Sequence, residues 1–308
     1  MKDLQRLHES VVLESEIDAL GHMNVRHYGE RALAATATLI ERIDLPDLGV
    51  GAVTPGAYDL PRLYTRYQRE QLSGAPLEVH GGIVDVTERG FRFYHELRNP
   101  VREEIAATFM HDVRFPNADL EEPPVIDHAI VEALEERRIV IPEHGHPRSI
   151  DLDASTRAPT LEDALEHGMA MRKPRVIDAE LCDETGRVSA DQRPFIMWGG
   201  EPLDGSEPGP PVYDIEGGGR MGWASLEMRS VRLGPLREGA RIQSFGAPVQ
   251  VNKKTSMRRF WVFDLDSGKP LLANDVVDIA LHLDERRAME IPERMRAQLE
   301  ETLREDLR

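Results

Sequence analysis

The sequence predicts an α+β protein made of two copies of one unit, each an antiparallel sheet wrapped around a central helix. Three observations predict this class: a helical segment that is apolar nearly all round, a run of strands after it, and a second half that echoes the first. At 308 residues the chain is long enough for about two domains of ordinary size.

The central helix of the first copy is predicted over 25–43. Val25, Tyr28, Ala32 and Leu39 recur there at helical spacing. The other faces of the middle of this segment carry small or apolar side chains, and strong charge occurs only near its ends. A helix that is apolar nearly all round is a buried one, and small side chains allow a sheet to wrap closely around it.

Strands are predicted on both sides of this helix. The first covers 8–18, and the others cover 57–72, 77–87, 90–98 and 104–115, where β-branched and aromatic residues are enriched. Because these strands follow one another without a convincing second helix, the unit is of the α+β type rather than an alternating βαβ type.

The second half repeats the first at an offset of 165 residues, since the pair Asp18 and Gly21 is echoed by Asp183 and Gly186. The helix of the second copy is predicted to start near Ser189 and to be interrupted by proline. We therefore predict four segments along the chain, which are a first domain over 1–116, a charged and proline-rich connector over 117–172, a second domain over 173–290, and a C-terminal helix over 291–308.

Composition narrows the possible partners. The chain carries 55 acidic and 38 basic residues, a formal charge of −17, which disfavours nucleic acid and anionic lipid as partners of the whole molecule. A single cysteine, Cys182, excludes an intrachain disulfide and agrees with a reducing compartment. No apolar signal or membrane-spanning run is present, so we expect a soluble, cytoplasmic protein.

The most informative segment is 18–28, which reads DALGHMNVRHY. It resembles the start of the hotdog-fold thioesterases of the 4-hydroxybenzoyl-CoA thioesterase type. In those enzymes a first strand leads into an Asp-x-x-Gly turn, often followed by His-x-Asn and by a tyrosine four residues after the asparagine. The resemblance implies a tandem double hotdog and the hydrolysis of an acyl-CoA or related thioester, without a bound cofactor or metal. CoA enters as part of the substrate, and assembly into homo-oligomers is common among such proteins.

The residue types suit that chemistry. Thioester hydrolysis needs a base or nucleophile at the carbonyl carbon, which Asp18 can supply either directly or by activating water. It also needs a positive group at the carbonyl oxygen, and the resemblance places the backbone N–H of Val25 there, at a helix start. Asn24 is a suitable N-cap for that helix, and His22 can orient the substrate or Asp18. Gly21 permits the tight turn between them.

Two further sets of residues concern the second copy. Arg187 and Ser189 replace the histidine and the asparagine beside Asp183, so we expect a degenerate second site. The phosphates of CoA need a local basic patch in so acidic a chain. The densest basic cluster, and therefore the predicted phosphate-binding set, consists of Lys253, Lys254, Arg258 and Arg259.

Two other functions remain open at this stage. A hotdog hydratase or dehydratase of enoyl thioesters is disfavoured, because the Asp-x-Asn-Pro-x-His pattern of those enzymes is missing around Asp18. A module that binds acyl thioesters without turnover would have no need to keep Asp18, Gly21, His22 and Asn24 together. Neither the acyl group nor the choice between CoA and acyl carrier protein follows from the sequence.

Overall fold

The chain forms two compact units, Met1–Pro147 and Arg148–Arg308. The computed structural model describes residues 3–43, 58–88, 90–114, 126, 128–153, 158–203, 212–215 and 218–308. Residues of the predicted connector fall into both units, and its positions 117–125, 127 and 154–157 lie outside the described residues. Among the helices that the structure describes, none has the length and apolar character needed to cross a membrane.

The described residues of the first unit form a five-stranded antiparallel sheet around helix α1, the hotdog arrangement that the sequence predicts. Helix α1 spans Val25–Ile43, which confirms its predicted bounds, and it contacts all five strands, including β2 through the rings of Tyr28 and Tyr67. The sheet runs in the order β1-β3-β4-β5-β2. The bounds are β1 Gln5–Val11, β2 Asp59–Tyr67, β3 Pro76–Thr87, β4 Gly90–Asn99 and β5 Glu104–Arg114, and a short helix α2, His128–Glu135, packs on β3.

The first strand lies earlier in the chain than 8–18, so that prediction is wrong in position. Strand β1 ends at Val11, and a short 3-10 helix, Glu14–Glu16, follows it. The Glu16 carboxylate accepts the backbone N–H of Leu13 at 2.9 Å and closes this turn. Val11 and Leu13, which suggest strand alternation, are instead about half exposed, 51% and 58%. The local hydrogen bond therefore prevails over the hydrophobic pattern.

The second unit has the same sheet topology, with strands β9-β12-β11-β10 in that order and the edge strands β6 and β7 on β10. Its bounds are α3 Leu161–Glu166, β6 Ala170–Met171, β7 Arg175–Val176, β8 Val212–Asp214, β9 Arg220–Arg232, β10 Arg241–Val251, β11 Thr255–Asp264, β12 Pro270–His282, β13 Arg287–Ala288 and α4 Glu293–Glu301.

Strand register confirms the repeat at an offset of 165. In the first unit Gly81 of β3 pairs with Gln5 on one side and with His95 on the other. In the second unit Gly246 of β10 pairs with Ala170 and with Phe260, which are the residues 165 positions farther along. The two units are therefore copies of one architecture at the level of individual pairs.

The central element differs between the copies. Where the first unit has a 19-residue α-helix, the described part of the second unit has a six-residue 3-10 helix, Arg193–Trp198. A helix starting near Ser189 would hold Pro194 in its interior, where proline lacks the N–H and clashes with the preceding turn. The helix begins at Arg193 instead, which places Pro194 in its first turn, a position where proline is tolerated.

Candidate active site

The motif residues form a tight loop between the 3-10 helix Glu14–Glu16 and α1. The Asp18 N–H donates to the His22 carbonyl at 2.9 Å, and the Gly21 N–H donates to the Asp18 carbonyl at 2.9 Å. Gly21 has φ of 81°, in the left-handed region that favours glycine. The Asn24 N–H donates to the Glu16 carbonyl at 2.8 Å and closes the loop against its own start.

This loop orients the Asp18 carboxylate. Its Oδ1 accepts the N–H of Leu20 at 2.8 Å, while its Oδ2 lies 3.8 Å from Nδ1 of His22. The Asp18 side chain is 21% exposed to solvent. A half-buried carboxylate with one oxygen held by the backbone has a defined direction, and it still reaches solvent or substrate.

His22 lies between two carboxylates. It is buried, its Nδ1 is 3.2 Å from the Met23 carbonyl, and its Nε2 is 3.6 Å from Oε1 of Glu70. At that distance Nε2 has no hydrogen-bond partner among the described residues. With the proton on Nδ1 the ring donates to Met23, and its other nitrogen then faces Glu70. Glu70 is a member of this site that the sequence did not predict.

Three hydrogen bonds hold the segment that carries Glu70 against the motif loop. The Tyr28 hydroxyl donates to the Arg69 carbonyl at 3.1 Å and accepts the Gln71 N–H at 3.1 Å. The Met23 N–H donates to the Gln71 carbonyl at 2.8 Å. Burial raises the pKa of Tyr28, and the nearby carboxylates of Glu70 and Asp18 raise it further, so the hydroxyl stays protonated as a donor. Tyr28 therefore positions one wall of the site.

The start of α1 supplies backbone donors beside this loop. Asn24 caps the helix, since its Oδ1 accepts the N–H of Arg26 at 3.1 Å. Val25 is the first helical residue. Among the described residues no acceptor is found for the Val25 N–H, which is one of the donors that a helix start leaves unpaired.

The corresponding loop of the second unit has the same backbone and different chemistry. Asp183 accepts at Oδ1 from the Thr185 N–H at 2.8 Å and from the Thr185 hydroxyl at 2.6 Å, and it is exposed. Burial alone would raise the pKa of Asp183, but these hydrogen bonds and Arg187 lower it overall. Arg187 and Ser189 occupy the positions of the histidine and the asparagine.

The four residues of the predicted phosphate-binding set do not form one patch. Lys253 and Lys254 lie on the turn between β10 and β11, and Lys253 pairs with Glu290 at 2.6 Å. Arg258 and Arg259 are neighbours on β11 and therefore point to opposite faces of the sheet. The first pairs with Asp278 and the second with Asp275, at 2.6 and 2.7 Å. Their binding of CoA stays a prediction.

One cluster in the first unit has the donor types of a metal site. Ligand atoms of Glu16, His27 and Glu30 lie within 4.8 Å of one another. These carboxylates already bind arginines, since Arg31 donates to Glu16 at 2.7 Å and Arg26 donates to Glu30 at 2.9 Å. We assign no metal to this cluster, which ties the 3-10 helix Glu14–Glu16 to the first turns of α1.

Comparison with known proteins places these features in a family context. Residues 12–134 match the thioesterase-like superfamily. No curated protein matches the chain. Among solved structures, the 12:0-ACP thioesterase from Umbellularia californica is 11% identical with a TM-score of 0.61, and the match covers 90% of this chain and 94% of that one. An acyl-ACP thioesterase from Bacteroides thetaiotaomicron VPI-5482 is 10% identical with a TM-score of 0.56, covering 88% and 96%.

A third similar structure is the putative oleoyl thioesterase from Lactobacillus plantarum, which is 10% identical with a TM-score of 0.60 and covers 90% of this chain and 96% of that one. At these identities the likeness concerns the fold. Because the matches extend over nine tenths of the chain, they confirm the double hotdog rather than a single unit.

Proposed function

We propose that the protein hydrolyses an acyl thioester at the loop 18–24, because residues 12–134 of its first unit match the thioesterase-like superfamily. The observation that carries the proposal is the Asp18 carboxylate, which a backbone hydrogen bond directs and which lies in the loop that ends at the start of α1, where the Val25 N–H has no acceptor among the described residues. A base or nucleophile and a donor for the developing oxyanion are the two groups that this reaction needs.

The reaction can follow either of two courses from Asp18. In the first, the carboxylate takes a proton from water, and the resulting hydroxide adds to the carbonyl carbon. In the second, a carboxylate oxygen adds directly and forms an anhydride, which water then cleaves. In both, the C–S bond breaks, the thiolate leaves and takes up a proton, and the acyl group departs as a carboxylic acid.

The surrounding residues support Asp18. We propose that His22 keeps the carboxylate directed at the substrate and that the Glu70 carboxylate, 3.6 Å from Nε2, faces the other side of the imidazole. The Val25 N–H would donate to the carbonyl oxygen, where negative charge develops, with help from the helix dipole. The acyl group and the thiol carrier, CoA or acyl carrier protein, are left open, and the basic residues around Arg258 are the predicted contacts for CoA.

The test is the release of thiol from a panel of acyl-CoAs and acyl-acyl carrier proteins, with wild type and Asp18→Asn compared. We expect turnover of at least one thioester and a loss of about a hundredfold or more in kcat in the variant, the range for removing a general base. Glu9→Gln, on the exposed side of β1, serves as the matched control and should retain full activity.

Other results would each contradict a different part of this proposal. Binding of thioesters without any cleavage would support a binding module instead. Hydration of an enoyl thioester without its hydrolysis would favour the hydratase class. If Asp18→Asn retained full activity, the proposed reaction would stand, but its assignment to Asp18 would be wrong. Single turnover in isotopically labelled water tests for direct attack, because label enters the protein only when Asp18 has formed the anhydride and water then adds to the Asp18 carboxyl carbon.

A further inference from the structure

The second unit contains a cavity of about 580 Å³ beside its edge strand. Its wall is formed mainly by apolar side chains, with two arginines among them, and the set is Met169, Ala170, Met171, Arg172, Met197, Pro202, Leu203, Ser244, Phe245, Gly246, Ala247, Pro248, Arg258, Phe260 and Leu299. A volume of this size is within the range of about 300–1,000 Å³ that is typical of small-molecule sites.

The cavity follows from the shortened central element. Gly246 and Phe260 correspond to Gly81 and His95 of the first unit, where the sheet face carrying His95 is covered by α1, as the bond between His95 and Thr36 at 2.9 Å shows. The corresponding cavity there is only about 290 Å³, and Leu39 and Ile43 of α1 form part of its wall.

In the second unit the same sheet face has two separate covers. Asn274 of β12 donates to the Pro194 carbonyl of the 3-10 helix at 3.0 Å. Ala280 lies six residues farther on the same face, and Leu299 of α4 packs against the cluster that contains it. Met197 of the 3-10 helix and Leu299 of α4 both line the cavity, which therefore lies between the two covers.

The wall is chemically matched to an aliphatic chain with an anionic head. Methionine is flexible and fills irregular apolar contacts, and three methionines line this space. Among the described residues, Arg172 and Arg258 are the charged members of the lining and no acidic residue belongs to it, although the chain as a whole carries −17. Arg258 forms its ion pair with Asp278 through one guanidinium nitrogen. A guanidinium has five N–H donors in all, so others can bind the anionic head.

We propose that this cavity binds a fatty-acid carboxylate, with the chain against Met171, Leu203 and Phe260 and the head at Arg258. Every lining residue belongs to the second unit, whereas Asp18 belongs to the first. The ligand is a free fatty acid, because the acyl chain of a thioester carries no carboxylate that could bind Arg258. The proposal does not depend on hydrolysis, because it concerns binding alone.

The test is direct titration of the full chain with octanoate, dodecanoate and hexadecanoate, followed by calorimetry. Leu203→Trp places a bulky ring in the cavity from a position that is 44% exposed, so folding is retained. We expect it to weaken dodecanoate binding at least about tenfold. Leu165→Trp, at a position of the same unit that is 54% exposed and outside the lining, is the matched control and should bind as wild type.

The head group is tested by the pair R258Q/D278N, since Arg258→Gln alone would leave Asp278 buried without its cation. We expect about tenfold weaker binding of dodecanoate and unchanged binding of dodecanol, which has no charge. A non-hydrolysable S-dodecyl thioether of CoA has the chain without the carboxylate and should compete at least about tenfold more weakly than dodecanoate, whereas equally strong competition would show that the carboxylate head is not required.

Two results would overturn the proposal: no saturable binding of any of the three acids to wild type, or equal binding by Leu203→Trp and Leu165→Trp. Asp18→Asn should bind dodecanoate as wild type does. A hydrolytically inactive protein that binds fatty acid would therefore contradict the proposed function and leave the cavity assignment intact.

Discussion

The loops 18–24 and 183–189 show how two copies of one backbone can differ in chemistry. The same four backbone hydrogen bonds occur in both loops. In the second loop the N–H groups of Asp183, Gly186 and Ser189 donate to the carbonyls of Arg187, Asp183 and Leu181, as in the first copy. The Val188 N–H donates to the Leu236 carbonyl, which repeats the bond from Met23 to Gln71. The glycine has a positive φ in both, 81° and 71°. Aspartate and glycine are thus enough to form the loop.

The side chains around the loop decide what it can do. Since Gln71 corresponds to Leu236, the position of Glu70 is occupied by Pro235 in the second copy, and that of Tyr28 is occupied by Arg193. The second loop therefore lacks the histidine, the glutamate facing it, and the tyrosine that holds the glutamate in place. An Asp-x-x-Gly turn is a structural device that becomes a candidate site only with these neighbours.

The largest contrast is expected from matched substitutions of the two aspartates. Asp18→Asn should lower kcat about a hundredfold or more, whereas Asp183→Asn should leave kcat within about twofold of wild type. Steady-state thiol release measures both. Equal losses in the two variants would mean that both copies are active and would remove the distinction drawn here.

The next effect concerns Glu70, which lies far from the first loop in sequence and has no counterpart at the second loop. Glu70→Gln keeps the shape and removes the charge facing Nε2 of His22, and we expect kcat to fall about tenfold, which corresponds to about 1.4 kcal/mol, with KM unchanged. Because Asp18 and Glu70 both face His22, the pH profile of kcat should also change. A merely structural role of Glu70 would instead lower the unfolding midpoint and leave the profile unchanged.

The glycines test the shared backbone. Gly21→Ala and Gly186→Ala should each lower the free energy of unfolding by about 1 kcal/mol, the cost of placing a side chain in the left-handed region. Only Gly21→Ala should also reduce activity, because only the first loop holds the complete set of groups. Denaturant unfolding and thiol release measure the two effects separately, and an equal loss of activity in both variants would contradict the assignment.

The smallest effect concerns the buried histidine pair under α1. Burial lowers the pKa of His95 well below 6.5, and the neighbouring His111 lowers it further. Below about pH 6.5 this histidine is protonated in the unfolded chain and stays neutral in the folded chain. Its contribution to the free energy of unfolding is therefore present above about pH 6.5 and is lost as the pH falls. The loss amounts to about 0.8 kcal/mol between about pH 7.5 and 6.

His95→Phe, which introduces the residue that the second copy has at Phe260, should remove this pH dependence. Denaturant unfolding across the pH range compares it with His128→Asn, a control at a side chain that is 78% exposed. A stability curve of His95→Phe that runs parallel to wild type would show that His95 binds protons equally in the folded and unfolded chains.

Local and periodic features were predictable from the sequence. The bounds of α1 follow from its spacing of apolar residues, and the repeat follows from the Asp-x-x-Gly pair, because both patterns act over short stretches. The first strand was misplaced because one carboxylate–amide bond at Glu16 redirects the chain, and hydrophobic alternation carries no information about such a bond.

The sequence by itself determined the α+β class, the two copies and the motif residues Asp18, His22, Asn24 and Val25. Tertiary structure alone decided which groups meet. Glu70 reaches His22 only because Tyr28 and Met23 bond the segment 69–71 to the motif loop, and the cavity at Gly246 exists only because two short covers replace one long helix. Contacts between residues far apart in the chain depend on strand register and helix packing, which no local spacing records.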